Sequence, residues 1–292
     1  MQKSPPLPEW IKPVFRKRPY LEYLAPRLRR LGVATVCESA RCPNLGECFS
    51  QGEATFLLMG EVCTRDCRFC AVQTGKPAPL DEDEPRRVAL ATKELGLKHV
   101  VLTCVTRDDL ADGGAAHFAA AISAMRKLAP WASVEVLAPD FRGDCDAVKT
   151  VVQAAPEIFA HNMETVSRLY PQVRPQADWE RSLEVLRCAK KCRPSLLIKS
   201  GLMLGLGETR EEILDALGQL RRVGTDFLTL GQYLQPTQNH LPVVKYLPPE
   251  AYRELAAEAK EMGFREVLAG PLVRSSYHAG EMARLEEHRE PV

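Results

Sequence analysis

Cys63, Cys67 and Cys70 form a C-x3-C-x2-C set within eight residues. Three thiolates so close in the chain can converge on one corner of a cubane iron–sulfur cluster and leave its fourth iron without a protein ligand. An open iron can bind substrate or cofactor. Zinc is the rival occupant, but a structural zinc site takes four N or S ligands, and no further Cys or His lies nearby. Ordinary buried thiols are the bland alternative. A second triad, Cys37, Cys42 and Cys48, has C-x4-C-x5-C spacing, with fourteen residues between Cys48 and Cys63. It too lacks a fourth thiol, so it suits a second cluster with an unusual or absent ligand, or zinc with oxygen from Glu38 or Glu47. Of the remaining cysteines, Cys188 and Cys192 are one helical turn apart on one face. Two ligands do not make a site, and these two, with Cys104 and Cys145, read as packing residues in reduced form.

The elements that must position these thiols follow from patterning. The chain has 292 residues, 45% apolar and 26% charged, a globular composition large enough for one substantial core. Its 39 Lys+Arg against 38 Asp+Glu leave no broad positive field for nucleic acid. The chain opens Met1-Gln2-Lys3-Ser4-Pro5-Pro6-Leu7-Pro8, unlike a secretory leader, and no window approaches the roughly 18 apolar residues of a spanning helix. Cytoplasmic location, where thiols stay reduced and clustered cysteines serve metals or catalysis, is the expectation.

Candidate strands are Ala54–Met59, His99–Thr103, Ser133–Leu137, Glu157–Ala160, Leu196–Leu202, Asp226–Leu230 and Glu266–Ala269. Amphipathic stretches separate them: Arg86–Leu95, Gly114–Leu128, Cys145–Ala154, Arg181–Cys192, Thr209–Val223 and Pro249–Met262. Near-continuous apolar strands alternating with helices predict an α/β fold with a parallel sheet covered on both faces. The expected architecture is a parallel β/α barrel, partial or complete, of about six β/α units; a doubly wound open sheet competes. The barrel is assigned to residues 53–270. Residues 1–52 form an N-terminal extension carrying the second triad, and 271–292 a C-terminal extension. The basic, proline-rich start reads as an extended arm, followed by a short helix near Arg16 to Leu31 interrupted at Pro19 and Pro26.

Glu61-Val62-Cys63-Thr64-Arg65-Asp66-Cys67-Arg68-Phe69-Cys70 resembles the signature loop of the radical S-adenosylmethionine (SAM) enzymes. The resemblance narrows to the lipoyl synthase family through Cys37-Glu38-Ser39-Ala40-Arg41-Cys42-Pro43-Asn44-Leu45-Gly46-Glu47-Cys48. It extends through Thr106 to Gly114, His161-Asn162-Met163-Glu164-Thr165, Lys199 to Glu208, and Arg274-Ser275-Ser276-Tyr277-His278-Ala279. These stretches span residues 37 to 279. The resemblance implies two [4Fe-4S] clusters. One, on Cys63, Cys67 and Cys70, is chelated by SAM and cleaves it to a 5′-deoxyadenosyl radical, with Phe69 near the adenine. The other, on Cys37, Cys42 and Cys48, donates two sulfur atoms to C6 and C8 of a protein-bound octanoyl chain and is consumed. A serine of the terminal motif holds its fourth iron, mapped onto Ser276 with Ser275 as fallback. Implied partners are octanoylated carrier domains, namely the glycine-cleavage H protein and 2-oxoacid dehydrogenase acyltransferase subunits, with ferredoxin or flavodoxin as reductant. Neither nucleic acid nor membrane is expected. Another radical SAM sulfur-inserting enzyme, or a non-catalytic iron–sulfur or zinc scaffold, is the competing reading.

The rest of the site is argued from position at the ends of strands. Asn162 and Glu164 suit ribose hydroxyls, against a helix N-cap at Asn162. Thr106 follows the second candidate strand. Asp112 faces the SAM amino group or caps the following helix. Gly205, Gly207 and Glu208 resemble the adenine-side segment, or form a plain turn. Lys199, if buried, wants an anion such as the SAM carboxylate; Arg174 is a further carboxylate candidate.

Overall fold

A computed structural model describes residues 4–11, 26–39, 42 and 44–281. The strands are β1 (Ala34–Thr35), β2 (Glu53–Leu58), β3 (Val62–Cys63), β4 (Gln73–Thr74), β5 (His99–Cys104), β6 (Ser133–Leu137), β7 (Ile158–Ala160), β8 (Leu197–Leu204), β9 (Phe227–Gln232) and β10 (Glu266–Gly270). Six long helices cross between them: α1 (Glu84–Glu94), α2 (Ala115–Leu128), α3 (Cys145–Gln153), α4 (Trp179–Cys192), α5 (Arg210–Arg222) and α6 (Pro249–Glu261). The main sheet runs β1-β2-β5-β6-β7-β8-β9-β10, parallel from β2 to β10. β1 adds one antiparallel edge, pairing Ala34 with Leu57. Among the described residues no ladder joins β1 to β10, so the barrel is partial.

All seven expected strands and six expected helices form, with ends shifted by at most two residues. The missed elements are short: β1, β3, β4 and the helical segments Val36–Ser39, Leu45–Ser50, Phe141–Gly143, Ser167–Leu169 and Tyr170–Val173. At two to six residues none carries a readable period. Of the expected helix near Arg16 to Leu31, only 26–31 is helical among the described residues; 12–25 lie outside them.

Local sequence sets the helix starts. Asp144 accepts the N–H groups of Asp146 and Ala147 ahead of α3, Asp178 that of Arg181 ahead of α4, and Thr209 with Glu212 forms a capping box on α5. Because side chains alternate along a strand, Val100, Leu102, Val134, Val136, Phe159 and Ile198 face the helices and join the main core. The opposite face is different. Ile158 and Phe227 form a separate small cluster with Leu197 and Leu268, beside charged groups.

Those charged groups settle the orientation of Lys199. It is fully buried inside the barrel, and its Nζ donates to both carboxylate oxygens of Glu135 at 2.9 and 3.0 Å. The anion that a buried Lys199 requires is therefore a protein carboxylate. Lys199→Met should destabilise the fold by about 3–5 kcal/mol, because an uncompensated carboxylate stays in the interior. The double variant Lys199→Met/Glu135→Leu should recover most of that loss in denaturant melts. A single variant as stable as the parent would remove the pair from the list of fold determinants.

The chain after β10 turns back across the sheet's inner face. A Cβ at Gly231 on β9 would lie 2.1 Å from the Val273 carbonyl, and one at Gly280 would lie 2.6 Å from Glu53 Oε1 and 2.9 Å from the His99 Cβ. These two glycines let the terminal segment pass from β9 to the starts of β2 and β5.

Candidate active site

The first cysteine loop leaves β2 and is closed at its base by β3 and β4, where Cys63 pairs with Thr74 and the Gly75 N–H donates to the Cys63 carbonyl. The loop is tied to its surroundings on several sides. Thr64 donates from its N–H and hydroxyl to the Thr106 carbonyl, the Arg68 N–H to Val173, and Leu241 N–H to the Arg68 carbonyl. His240 Nε2 donates to the Cys70 carbonyl at 2.9 Å. Cys63 Sγ accepts the N–H groups of Arg65 and Thr106 at 3.4 and 3.3 Å. Burial pushes the Cys70 thiol up to about 11 and raises Cys67, and Cys63 adds to the rise in both.

Arg65, inside this loop, is buried at 6% exposure. Its guanidinium bonds Asp108 at 2.7 and 2.8 Å and Asp140 at 2.9 and 2.7 Å. Asp108 follows β5 and Asp140 follows β6, so one side chain moors the loop to two strand ends. Arg181 Nε adds a 2.9 Å contact to Asp140. Burial alone would raise the Asp140 carboxyl, but Arg65 outweighs it and holds the group well below the usual carboxylate range. The sequence reading missed this clamp. Its visible signals were Asp108 shortly after β5 and Asp140 shortly after β6.

Across the barrel mouth, Asn162 Nδ2 donates to Glu164 Oε1 at 3.1 Å, and Ser275 Oγ donates to Asn162 Oδ1 at 3.1 Å. No helix begins at Asn162; the next helical turn starts at Ser167. Glu164 has φ +66° and bridges to Leu202 on β8. Burial raises its carboxyl against the opposing charge of Arg174. Arg174 itself is buried, with Nη1 on the carbonyls of Asn162 and Met163, and its Nε has no partner among the described residues. Glu208 accepts the N–H groups of Gly205 and Leu206, folding back on its own turn. Gly205 has φ +103°, and a Cβ there would lie 2.1 Å from Gln232 Nε2. Asp112 accepts the N–H groups of Gly114 and Ala116, capping the start of α2. Phe69 is half-buried against the core.

The second triad sits against the first strands and the terminal segment. Burial, with Cys42 adding to it, pushes the Cys37 thiol up to about 11, and burial with Cys37 and Cys42 pushes Cys48 to about 12. Thr55 on β2 hydrogen-bonds Cys37 from its backbone and side chain, and the His278 backbone bonds Cys48. Arg274 faces Cys42 electrostatically. Asn44 Nδ2 donates to the Leu272 carbonyl at 2.7 Å, and Tyr277 OH and His278 Nε2 both reach Glu47 at 3.2 Å. Among the described residues the Ser276 hydroxyl has no hydrogen-bond partner.

The chemistry of both donor sets fits iron–sulfur clusters. Each presents three soft sulfur donors, and because burial raises Cys37 and Cys48 in one set and Cys67 and Cys70 in the other, loading is coupled to proton release. One expectation about the other cysteines is corrected. Cys145 and Cys188, read as separate packing thiols, are joined as a disulfide between α3 and α4, with Cα atoms 5.9 Å apart. The pairing depends on how the two helices lie together, which spacing along the chain does not reveal.

Residues 57–220, over half of the chain, match the model of the Radical SAM superfamily, which places the chain among the radical SAM enzymes. The fold agrees. The structure of methylornithine synthase superposes with a TM-score of 0.55 at 13% identity, covering 91% of this chain and 89% of that one. Streptococcus suis SuiB bound to S-adenosylmethionine gives a TM-score of 0.60 at 12% identity, covering 75% and 50%. Sequence similarity is more specific. The lipoyl synthase of Thermus thermophilus is 56% identical over 274 residues, 93% of this chain and 85% of that protein. The lipoyl synthase of Rubrobacter xylanophilus is 55% identical, covering 94% and 85%. The chain belongs to the lipoyl synthase family. It is a radical SAM sulfur-inserting enzyme that uses SAM and two [4Fe-4S] clusters to insert sulfur at C6 and C8 of a protein-bound octanoyl chain. No helix among the described residues is long and apolar enough to cross a membrane.

Proposed function

We propose that Cys63, Cys67 and Cys70 hold the SAM-cleaving cluster, and that Cys37, Cys42, Cys48 and Ser276 hold the sacrificial one. When bound, the first supplies reductive cleavage of the sulfonium, and the second supplies sulfide for the new carbon–sulfur bonds. The chain's own residues do the rest. Arg65 and His240 keep the first loop in place. Phe69, Thr106, Asn162, Glu164, Gly205 and Glu208 line the SAM side of the barrel mouth, where the Asn162 amide and Glu164 carboxylate orient ribose hydroxyls. Asp112 and Lys199, engaged with the α2 start and with Glu135, hold the walls of that site. Arg174 Nε, buried and unpaired among the described residues, points to a carboxylate. The division into an N-terminal extension (1–52), a barrel (53–270) and a C-terminal extension (271–292) follows from this assignment. The reaction needs octanoylated carriers, for which we assign the glycine-cleavage H protein and 2-oxoacid dehydrogenase acyltransferase subunits. A ferredoxin or flavodoxin serves as reductant, in the cytoplasm.

One observation carries the choice of serine. Ser275 spends its hydroxyl on Asn162, whereas Ser276, without a hydrogen-bond partner among the described residues, lies in the turn whose Arg274 faces Cys42 and whose His278 backbone bonds Cys48. Serine alkoxide is a harder iron ligand than thiolate and a suitable point of release when the cluster is dismantled. Ser276→Cys should leave 5′-deoxyadenosine formation within about twofold of the parent and cut lipoyl formation by at least about tenfold. Ser275→Ala should instead raise the KM for SAM by about fivefold through loss of one hydrogen bond. Undiminished lipoyl formation by Ser276→Cys would refute the assignment.

A further inference from the structure

Outside both cysteine triads, Cys145, Glu184 and Cys188 bring two sulfur atoms and a carboxylate oxygen within 4.8 Å of one another. Glu184 and Cys188 are one turn apart on the same face of α4, and Cys145 is the first residue of α3, which packs on α4. Glu184 Oε1 lies 3.4 Å from Cys188 Sγ, and the other carboxylate oxygen pairs with Arg187. Cys145 is an exposed residue and Cys188 is 5% exposed, so the site has one cysteine at the surface and one against the core.

We propose that, with its sulfurs reduced, this cluster is a site for a thiophilic divalent cation of the zinc class, and that the Cys145–Cys188 bond is the oxidised, cation-free state of the same site. Two thiolates and one carboxylate are three protein ligands, which zinc completes with solvent in open sites. Soft thiolates exclude magnesium and calcium. Release requires a two-electron oxidant, here a low-molecular-weight disulfide. One site thiolate attacks it, forming a mixed disulfide and expelling one external thiolate. The second site thiolate then attacks the mixed disulfide, closing Cys145–Cys188 and expelling the other. The two site sulfurs are oxidised, the external disulfide is reduced to two thiolates, and the cation leaves with its ligands gone.

The test uses anoxically purified enzyme carrying about eight irons per chain, so that both triads are filled. It is reduced with a phosphine, equilibrated with zinc and desalted. The parent should retain about one more zinc per chain than Cys145→Ser/Cys188→Ser at the same iron content. Glu184→Gln should hold zinc at least about tenfold more weakly. Adding oxidised glutathione should release that zinc and free two glutathione thiols per chain in the parent, and neither in the double variant. Should the double variant fail to fold, Cys145→Ser alone, changed at an exposed position, serves in its place. Equal zinc in parent and variant, undiminished affinity in Glu184→Gln, or zinc retained after oxidation would each overturn the proposal.

Discussion

Cys37→Ala should abolish lipoyl formation while 5′-deoxyadenosine continues to form, whereas Cys63→Ala should stop both. The expectation rests on how the six thiols divide. Burial raises Cys37 and Cys48, with Cys42 adding to the first and Cys37 and Cys42 to the second; it raises Cys67 and Cys70, with Cys63 adding to the first and Cys67 and Cys63 to the second. Under the proposed assignment each triad loads as a unit. Losing one ligand of three removes its own cluster and leaves the other. Anaerobic assays with dithionite, octanoyl-lysine peptide and mass spectrometry of both products separate the outcomes. Iron should fall from about eight to about four per chain in either variant. Dithiolane made by Cys37→Ala, or 5′-deoxyadenosine made by Cys63→Ala, would break the division of labour.

Arg65→Ala should be among the most damaging changes that touch no metal ligand. It removes four hydrogen bonds and leaves Asp140, at 1% exposure, with Arg181 as its remaining cationic partner. Stranding a buried carboxylate in this way costs about 3 kcal/mol, which for a chain of this length is a fall in Tm of roughly 6–10 °C. Because the clamp lies between Cys63 and Cys67, iron at the first triad should fall with it while the second triad stays loaded. Arg65→Lys keeps the charge but not the fork that meets two carboxylates, so it should recover only part of either loss. The pH dependence has a definite sign. Asp140 is held below its unfolded value, so its contribution is present above about pH 4 and disappears as pH falls further through the folded value. The difference between parent and Arg65→Ala should therefore stay level from neutral to alkaline pH and shrink in acid. A variant matching the parent in Tm and iron content would show that β3, β4 and the backbone hold the loop unaided.

The two cysteine triads and the alternation of strands and helices were legible in the amino-acid sequence for a local reason. Ligands three to six residues apart stay near one another in almost any fold, and hydrophobic period declares strand or helix over six to fourteen residues. Cys63 to Cys70, β5 and α2 are of this kind. The contacts that the tertiary structure decided join residues far apart in the chain. Arg65 meets Asp140 across 75 residues, Ser275 meets Asn162 across 113, and Lys199 meets Glu135 across 64. Strand register and helix packing choose such partners, and shifting a strand by one residue would turn Lys199 from the barrel interior to the helices. Cys188 followed the same rule: its sequence neighbour on the helix face was Cys192, but its bonded partner is Cys145, brought by the neighbouring helix.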